Sequence, residues 1–235
     1  TTIWYTAFFS GLSFLRGPMR VEEGVVEWML LAAGLIAMSF YIVVGRWSDR
    51  IGRKAPIIIG AGLSLVLLFP VFWGMGHLAN PGLAEAAERT PVVVTGQDCT
   101  PDPFAELFGR EQSDCGKLLD TLTSSGVRYE LRDGGSLGLT VGGEPVALAA
   151  GWFTDGTAMR DGVRGALTQR GFDFSPQTPP MANILGIVAL LLVMGMLSAL
   201  TYGSVAALLA EMFPPRIRYS SMSIPYHIGA GYLGG

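Results

Sequence analysis

Charge is what this chain has least of. Only 15% of its 235 residues are Asp, Glu, Lys or Arg, where soluble domains carry about 25%. The deficit is uneven: residues 55–75 and 182–210 hold no charge, whereas residues 79–180 read as an ordinary soluble sequence. Histidine is nearly absent as well. The two present, His77 and His227, both lie outside residues 79–180, which leaves that stretch a poor ligand set for zinc. No nucleophile–base pair, phosphate loop or metal-spaced cluster stands out. Gly134-Gly135 and Gly142-Gly143 read as turn glycines, because no strand–glycine–helix arrangement surrounds them. No enzyme activity, metal or cofactor is therefore expected.

The charge that is present is segregated. Residues 79–180 hold 14 acidic and 8 basic residues, and the remainder holds 5 and 8, within a net charge of −3. A basic apolar part and an acidic insertion do not describe a nucleic-acid binder.

A bilayer core of about 30 Å needs roughly 20 apolar residues in helical form. Residues 25–44 supply that length with Glu27 as their only charge, and residues 55–75 supply it again, with Pro70 as an expected kink. Residues 182–210 are longer and could span with tilt. Residues 1–15 read as a partial span and residues 220–235 as the start of another. The chain opens and closes inside apolar runs and is expected to continue at both ends. The expected fold is an all-α polytopic membrane protein of about five transmembrane helices, with a small α+β extracytoplasmic insertion. Its divisions are 1–78, 79–180 and 181–235.

Two short loops are basic: Gly45-Arg46-Trp47-Ser48-Asp49-Arg50-Ile51-Gly52-Arg53-Lys54, and Phe213-Pro214-Pro215-Arg216-Ile217-Arg218-Tyr219. They share a side if each run crosses once, and the positive-inside rule makes that side cytoplasmic. The insertion then falls outside, together with the loop of Arg16, Arg20, Glu22 and Glu23. Within the insertion, residues 91–95, 127–131 and 137–141 read as strands. Residues 115–122 and 156–170 read as helices, the second ending at Gly171. Asp133-Gly134-Gly135 is a turn signal and Gln177-Thr178-Pro179-Pro180 a linker. Cys99 and Cys115, the only cysteines, both lie here. An oxidising outer compartment favours a disulfide between them over two free thiols.

The loop 45–54 carries the most information. Gly45 and Gly52 permit close backbone approach. Asp49 sits among Arg46, Arg50, Arg53 and Lys54 and must be paired or solvated. On physical grounds the cluster is either a positive-inside anchor or a device that ties helix ends together in one state and releases them in another. The decapeptide resembles the signature loop of the major facilitator superfamily, in the copy joining the second and third helices of the C-terminal half. Residues 208–223, Leu-Leu-Ala-Glu-Met-Phe-Pro-Pro-Arg-Ile-Arg-Tyr-Ser-Ser-Met-Ser, resemble the segment joining the next two helices. With Ile224-Pro225-Tyr226-His227-Ile228-Gly229 following, they are similar to the metabolite:proton symporter family. Trp4-Tyr5-Thr6 and Phe8-Phe9 resemble the first helix of that half.

The resemblance implies a twelve-helix alternating-access transporter, of which this chain would hold helices seven to eleven and lack the N-terminal half. It places Arg46, Asp49, Arg50, Arg53, Glu211, Arg216 and Arg218 in a cytoplasmic charge network that gates the transporter. The partners it implies are a small organic solute, protons and the lipid bilayer of a bacterial inner membrane. The proton gradient would be the energy source, and residues 79–180 would be periplasmic. Intramembrane polar residues are costly and so are candidates for the solute or proton path. Here they are Tyr5, Thr6, Thr201, Tyr202 and His227. His227, with a free pKa of about 6.5, could carry a proton, although a hydrogen bond to a neighbouring helix is the commoner fate. Glu27 is expected to snorkel. Trp4, Phe8, Phe9, Phe72 and Trp73 are expected to pack or to form an interface belt. The function expected is proton-coupled symport of a carboxylate or osmolyte. The competing expectation is a membrane sensor on the same scaffold, with ligand binding by the outer domain.

Overall fold

The structure, a computed structural model, describes residues 2–97, 99 and 112–229. Thr1 and residues 230–235 of the last expected span lie outside them. The chain divides into two compact units. One comprises Thr1–Arg16, Glu22–Ala79 and Thr178–Gly235, and the other Gly17–Val21 and Asn80–Gln177.

The first unit is helical. It begins with α1 (Thr2–Tyr5), a π-helical stretch (Thr6–Ser10) and α2 (Gly11–Arg16), followed by α3 (Glu23–Ile51) and α4 (Lys54–Ala79). Among the described residues three helical stretches are long and apolar enough to cross a membrane: Glu23–Ile51, Lys54–Ala79 and Met181–Met212. Their exposed side chains support a lipid-facing surface. Trp28, Leu65 and Phe69 are 72%, 86% and 79% exposed, in a density that water would penalise. The described helix over residues 2–16 is short of a span, since 15 residues rise only about 22 Å. The helix α4 runs through Pro70 without interruption.

The second unit follows α4 in the chain. It contains α5 (Pro81–Arg89), β1 (Val92–Gly96), α6 (Asp114–Ser124), β2 (Tyr129–Asp133), β3 (Gly138–Val141), β4 (Glu144–Val146), a 3-10 turn (Ala150–Phe153) and α7 (Gly156–Thr168). Asn80 starts α5 by accepting from the Leu83 amide at 3.1 Å, with Pro81 in the first turn, where no amide is needed. The sheet order is β2-β1-β3-β4. β1 and β2 are parallel, which requires a crossover, and α6 supplies it. β3 and β4 form a hairpin through Gly142 and Gly143, both at positive φ. The strands flanking Asp133-Gly134-Gly135 do not pair with each other, because β1 lies between them. Val92, Val94, Leu139 and Val141 face Leu118, Leu119, Leu122, Val163, Leu167 and Phe172 in one core. The Cys99–Cys115 disulfide ties the stretch after β1 to the first turn of α6.

Residues 17–21 were expected to be a simple outer loop, and the structure draws them into this second unit. Met19 and Val21 are buried. Asn80 Nδ2 donates to the Met19 carbonyl at 3.1 Å, and the Gln177 amide donates to the Arg20 carbonyl at 2.7 Å. Gln177, read from sequence as part of a linker, also bridges to Val21.

The chain returns to the first unit in α8 (Met181–Tyr202), α9 (Val205–Met212) and α10 (Arg218–His227). The single apolar run at 182–210 is thus divided at Gly203-Ser204, where the Ser204 hydroxyl leaves the helix to donate to the Arg53 carbonyl at 3.2 Å. The Met181–Met212 stretch is the most enclosed of the three, 44% buried in its most apolar window against 22% for α3 and α4. The cause is small residues at the crossings. A Cβ on Gly195 would lie 2.8 Å from Ala37 Cβ on α3, and one on Gly60 of α4 would lie 2.7 Å from Leu200 Cβ. Where lipid removes the hydrophobic drive between helices, such close approach supplies the packing energy. Gly195→Leu is expected to destabilise the chain by about 1–3 kcal/mol or more, read as a lowered melting temperature in detergent. Gly62→Leu, at a position with nothing within 4 Å of its Cβ, is expected to leave it unchanged.

Candidate functional site

The end of α3 and the start of α4 are joined by a two-residue corner. Gly52 stands at φ 92°, a backbone region that favours glycine, and its amide donates to the Ser48 carbonyl at 3.0 Å. The next residue, Arg53, faces three partners. Its guanidinium donates to Glu211 of α9 at 2.9 Å, to the Ser48 hydroxyl at 2.8 Å and to Asp49. Its carbonyl accepts from Ser204. Glu211 first, and Asp49 next, hold the Arg53 guanidinium above its ordinary range, against the opposing effect of burial. One side chain thus ties the α3–α4 corner to α9 across 158 residues of sequence. A groove of about 510 Å³ lies beside it, lined by Ile51, Gly52, Lys54, Ile58 and Leu208 together with the ion pair.

The other residues expected in the charge network divide. Asp49 and Glu211 join Arg53. Arg46, Arg50, Arg216 and Arg218 make no ion pair among the described residues, and Arg218 instead donates to the Phe213 carbonyl at 3.3 Å, closing the turn before α10. The participants not foreseen are Ser48 and Ser204, whose hydroxyls bond Arg53 from opposite sides in sequence. The signal available was weak: a serine at the end of an apolar helix is as often a simple backbone cap.

A second feature lies between the first helices, α3 and α8. It is a cavity of about 320 Å³ lined by Trp4, Phe8, Leu30, Leu31, Gly34, Leu35, Ala37, Met38, Tyr41 and Gly195. The Tyr41 hydroxyl bonds the Ser198 hydroxyl at 2.8 Å, so the polar groups at its α8 wall are mutually satisfied. None of the five residues expected on a solute or proton path lines this cavity. The Thr6 hydroxyl returns to the Thr2 carbonyl at 3.0 Å, and that of Thr201 to the Leu197 carbonyl at 3.0 Å. Tyr5 stacks on Phe9 with ring centroids 5.2 Å apart. Tyr202 is hydrogen-bonded to Tyr226, and His227 lies edge-on to the Tyr226 ring at 5.9 Å. Trp4 and Phe8, expected only to pack, are the aromatics that line the cavity. Glu27 does not simply snorkel, for Arg16 pairs with it at 2.6 Å.

The second unit holds the Cys99–Cys115 pair with Cα atoms 5.1 Å apart, within the range a disulfide requires. Among the described residues no group of His, Cys, Asp and Glu is placed to hold a metal ion. Comparisons with protein-family models, with curated proteins and with solved structures give no match to this chain.

Proposed function

We propose that this chain is the C-terminal part of a proton-coupled secondary transporter of the major facilitator type, resembling the metabolite:proton symporters, that moves a small organic solute by alternating access. The observation that carries the reading is the Arg53 bridge. The motif loop and the Glu211 segment were singled out separately in the sequence, and one arginine joins them at 2.9 Å. Both carboxylates are more than half exposed, so such pairs contribute little to static stability, about 0–1 kcal/mol each. A weak, exposed tie between two helix ends suits a latch that must break in every cycle better than it suits a structural clamp.

In this reading the bridge closes the cytoplasmic side and the solute passes between this part and the N-terminal half. The basic loops face the cytoplasm of a bacterial inner membrane and residues 79–180 face the periplasm. The disulfide is compatible with that outer placement. The test is accumulation of candidate carboxylates and betaines by the full-length protein in liposomes under an inward proton gradient. Uptake that collapses with a protonophore is the expected result. Equal accumulation with and without the gradient would remove the symport reading.

A further inference from the structure

The acidic second unit contains a basic spot that nothing above uses. Arg20 stands in the segment 17–21, which packs onto the turn after α6. The tightness of that packing shows at Gly126, at φ 75°, where a Cβ would collide with the Pro18 carbonyl and lie 3.1 Å from Met19 Cε. The residue before it, Ser125, is fully buried, and its hydroxyl accepts from Arg164 Nε at 3.4 Å. Arg160 lies one turn earlier on α7, on the same helix face as Arg164. Arg164 therefore sits at this turn, with Arg20 and Arg160 near enough for their charges to act on it.

Three features of this arrangement are costly. Arg20 is the one described residue other than glycine at positive φ, at 57°, a strained conformation that persists where the surroundings hold it, often at functional positions. It is held there by the Gln177 amide on its carbonyl. Its Nε is buried with no hydrogen-bond partner among the described residues, although a buried donor left unpaired is costly. Finally, burial first, then the positive charges of Arg20 and Arg160, push the Arg164 guanidinium below its ordinary range, and only Asp161 opposes them. Among the described residues none of the three arginines forms an ion pair. A fold does not ordinarily set three like charges, one on strained backbone, against a single carboxylate.

We propose that Arg164 at the Ser125-Gly126 turn, with Arg20 of the segment packed on that turn and Arg160 one helical turn away, binds a phosphate group. The positive charges acting on Arg164 outnumber Asp161, the one carboxylate acting on it, which suits the roughly −1.5 to −2 of a phosphate monoester at neutral pH. The guanidinium fork suits phosphate oxygens in two-point contact. The phosphate is either free or carried on a lipid headgroup, since the same chemistry serves both. The site is independent of the transport reading.

The test uses the full chain purified in an uncharged detergent, titrated at constant ionic strength with inorganic phosphate, with short-chain phosphatidic acid, and with phosphatidylcholine as the lipid control. The expected result is a saturable rise in melting temperature with inorganic phosphate, with phosphatidic acid, or with both, and none with phosphatidylcholine or chloride. A response to phosphatidic acid alone assigns the site to a headgroup. Arg20→Gln and Arg164→Gln are expected to weaken the apparent affinity about tenfold or more. Arg164→Lys, which keeps the charge and the fold but loses the fork, should weaken it by less. Arg132→Gln, on the exposed strand β2 and paired with Glu130, is expected to leave it unchanged. Without phosphate, Arg164→Gln should melt no lower than the unaltered chain, because like-charge repulsion is relieved. No saturable shift with either phosphate source, or the same midpoint in the Gln and Arg132 variants, overturns the proposal.

Discussion

With serine at both Cys99 and Cys115, the second unit is expected to open about 150-fold more often, with its helix α6 and strand β1 losing protection together. The disulfide spans 16 residues of sequence. In the chain-entropy account, closing a loop of that size restricts the unfolded ensemble by about 3 kcal/mol, and each 1.4 kcal/mol is about tenfold in an equilibrium constant. The location makes the effect cooperative. Cys99 and Cys115 both belong to the buried core, and α6 is the crossover that lets β1 and β2 run parallel. Freeing the first turn of α6 releases the helix whose Leu118, Leu119 and Leu122 cover the sheet. Hydrogen exchange of the full chain, oxidised against the double-serine form, measures this directly. Protection factors in α6 that match within a factor of two would show that the core holds without the link. The helices α3, α4 and α8 should exchange identically in both forms, since the bond lies wholly in the other unit.

On the proposed transport reading, replacing Arg53 with Gln is expected to change uptake more than stability. The substitution leaves Asp49 and Glu211 without their shared cation and removes a donor from Ser48. Because both carboxylates are well exposed, water takes the place of the guanidinium, and the melting temperature should move by no more than the equivalent of about 1 kcal/mol. If the bridge forms only when the cytoplasmic side is closed, its loss biases one conformation over the other by the full pair energy. A pair energy of up to about 1 kcal/mol corresponds to as much as roughly fivefold in the equilibrium. Uptake rate in liposomes, with Arg53→Gln, Glu211→Gln and the double variant, gives the measurement. The double variant should fall no further than Arg53→Gln alone, because each variant removes the Arg53–Glu211 ion pair. Additive losses would mean that Arg53 and Glu211 act separately, and an unchanged rate would reduce the bridge to an anchor.

The legible part of the fold is the part set by local chemistry. Three long uncharged or nearly uncharged runs announce three helices able to cross a membrane, since an uncharged stretch of that length has few other stable fates. The turn at Gly142-Gly143 and the helix end at Gly171 were readable from residue type, because only glycine accepts their positive φ at little cost. The strands came through with shifted edges: the expected 127–131 became Tyr129–Asp133. Strand pairing was not readable. Two strands separated by a glycine turn look like a hairpin in sequence, yet β1, some forty residues earlier, takes the place between them. The short elements α5 and β4 carry too little pattern to be seen in advance.

The candidate site shows the same division. Sequence singled out the loop and Glu211, but not which of six nearby cations would take that carboxylate. Arg53 takes it because Gly52 turns the chain and Ser48 and Ser204 fix Arg53 from both sides, whereas Arg218 is spent on its own turn. By itself, then, the sequence determined the apolar helices and the polar insertion with its two cysteines, consequences of transfer energy and residue type that act one segment at a time. The tertiary structure alone decided that residues 17–21 join the second unit, that α8 packs between α3 and α4, that Arg53 is the bridge, and that Arg164 reaches Ser125 beside the segment of Arg20. Those outcomes rest on contacts between residues tens to more than a hundred positions apart, where steric fit and charge placement choose among partners that look equivalent along the chain.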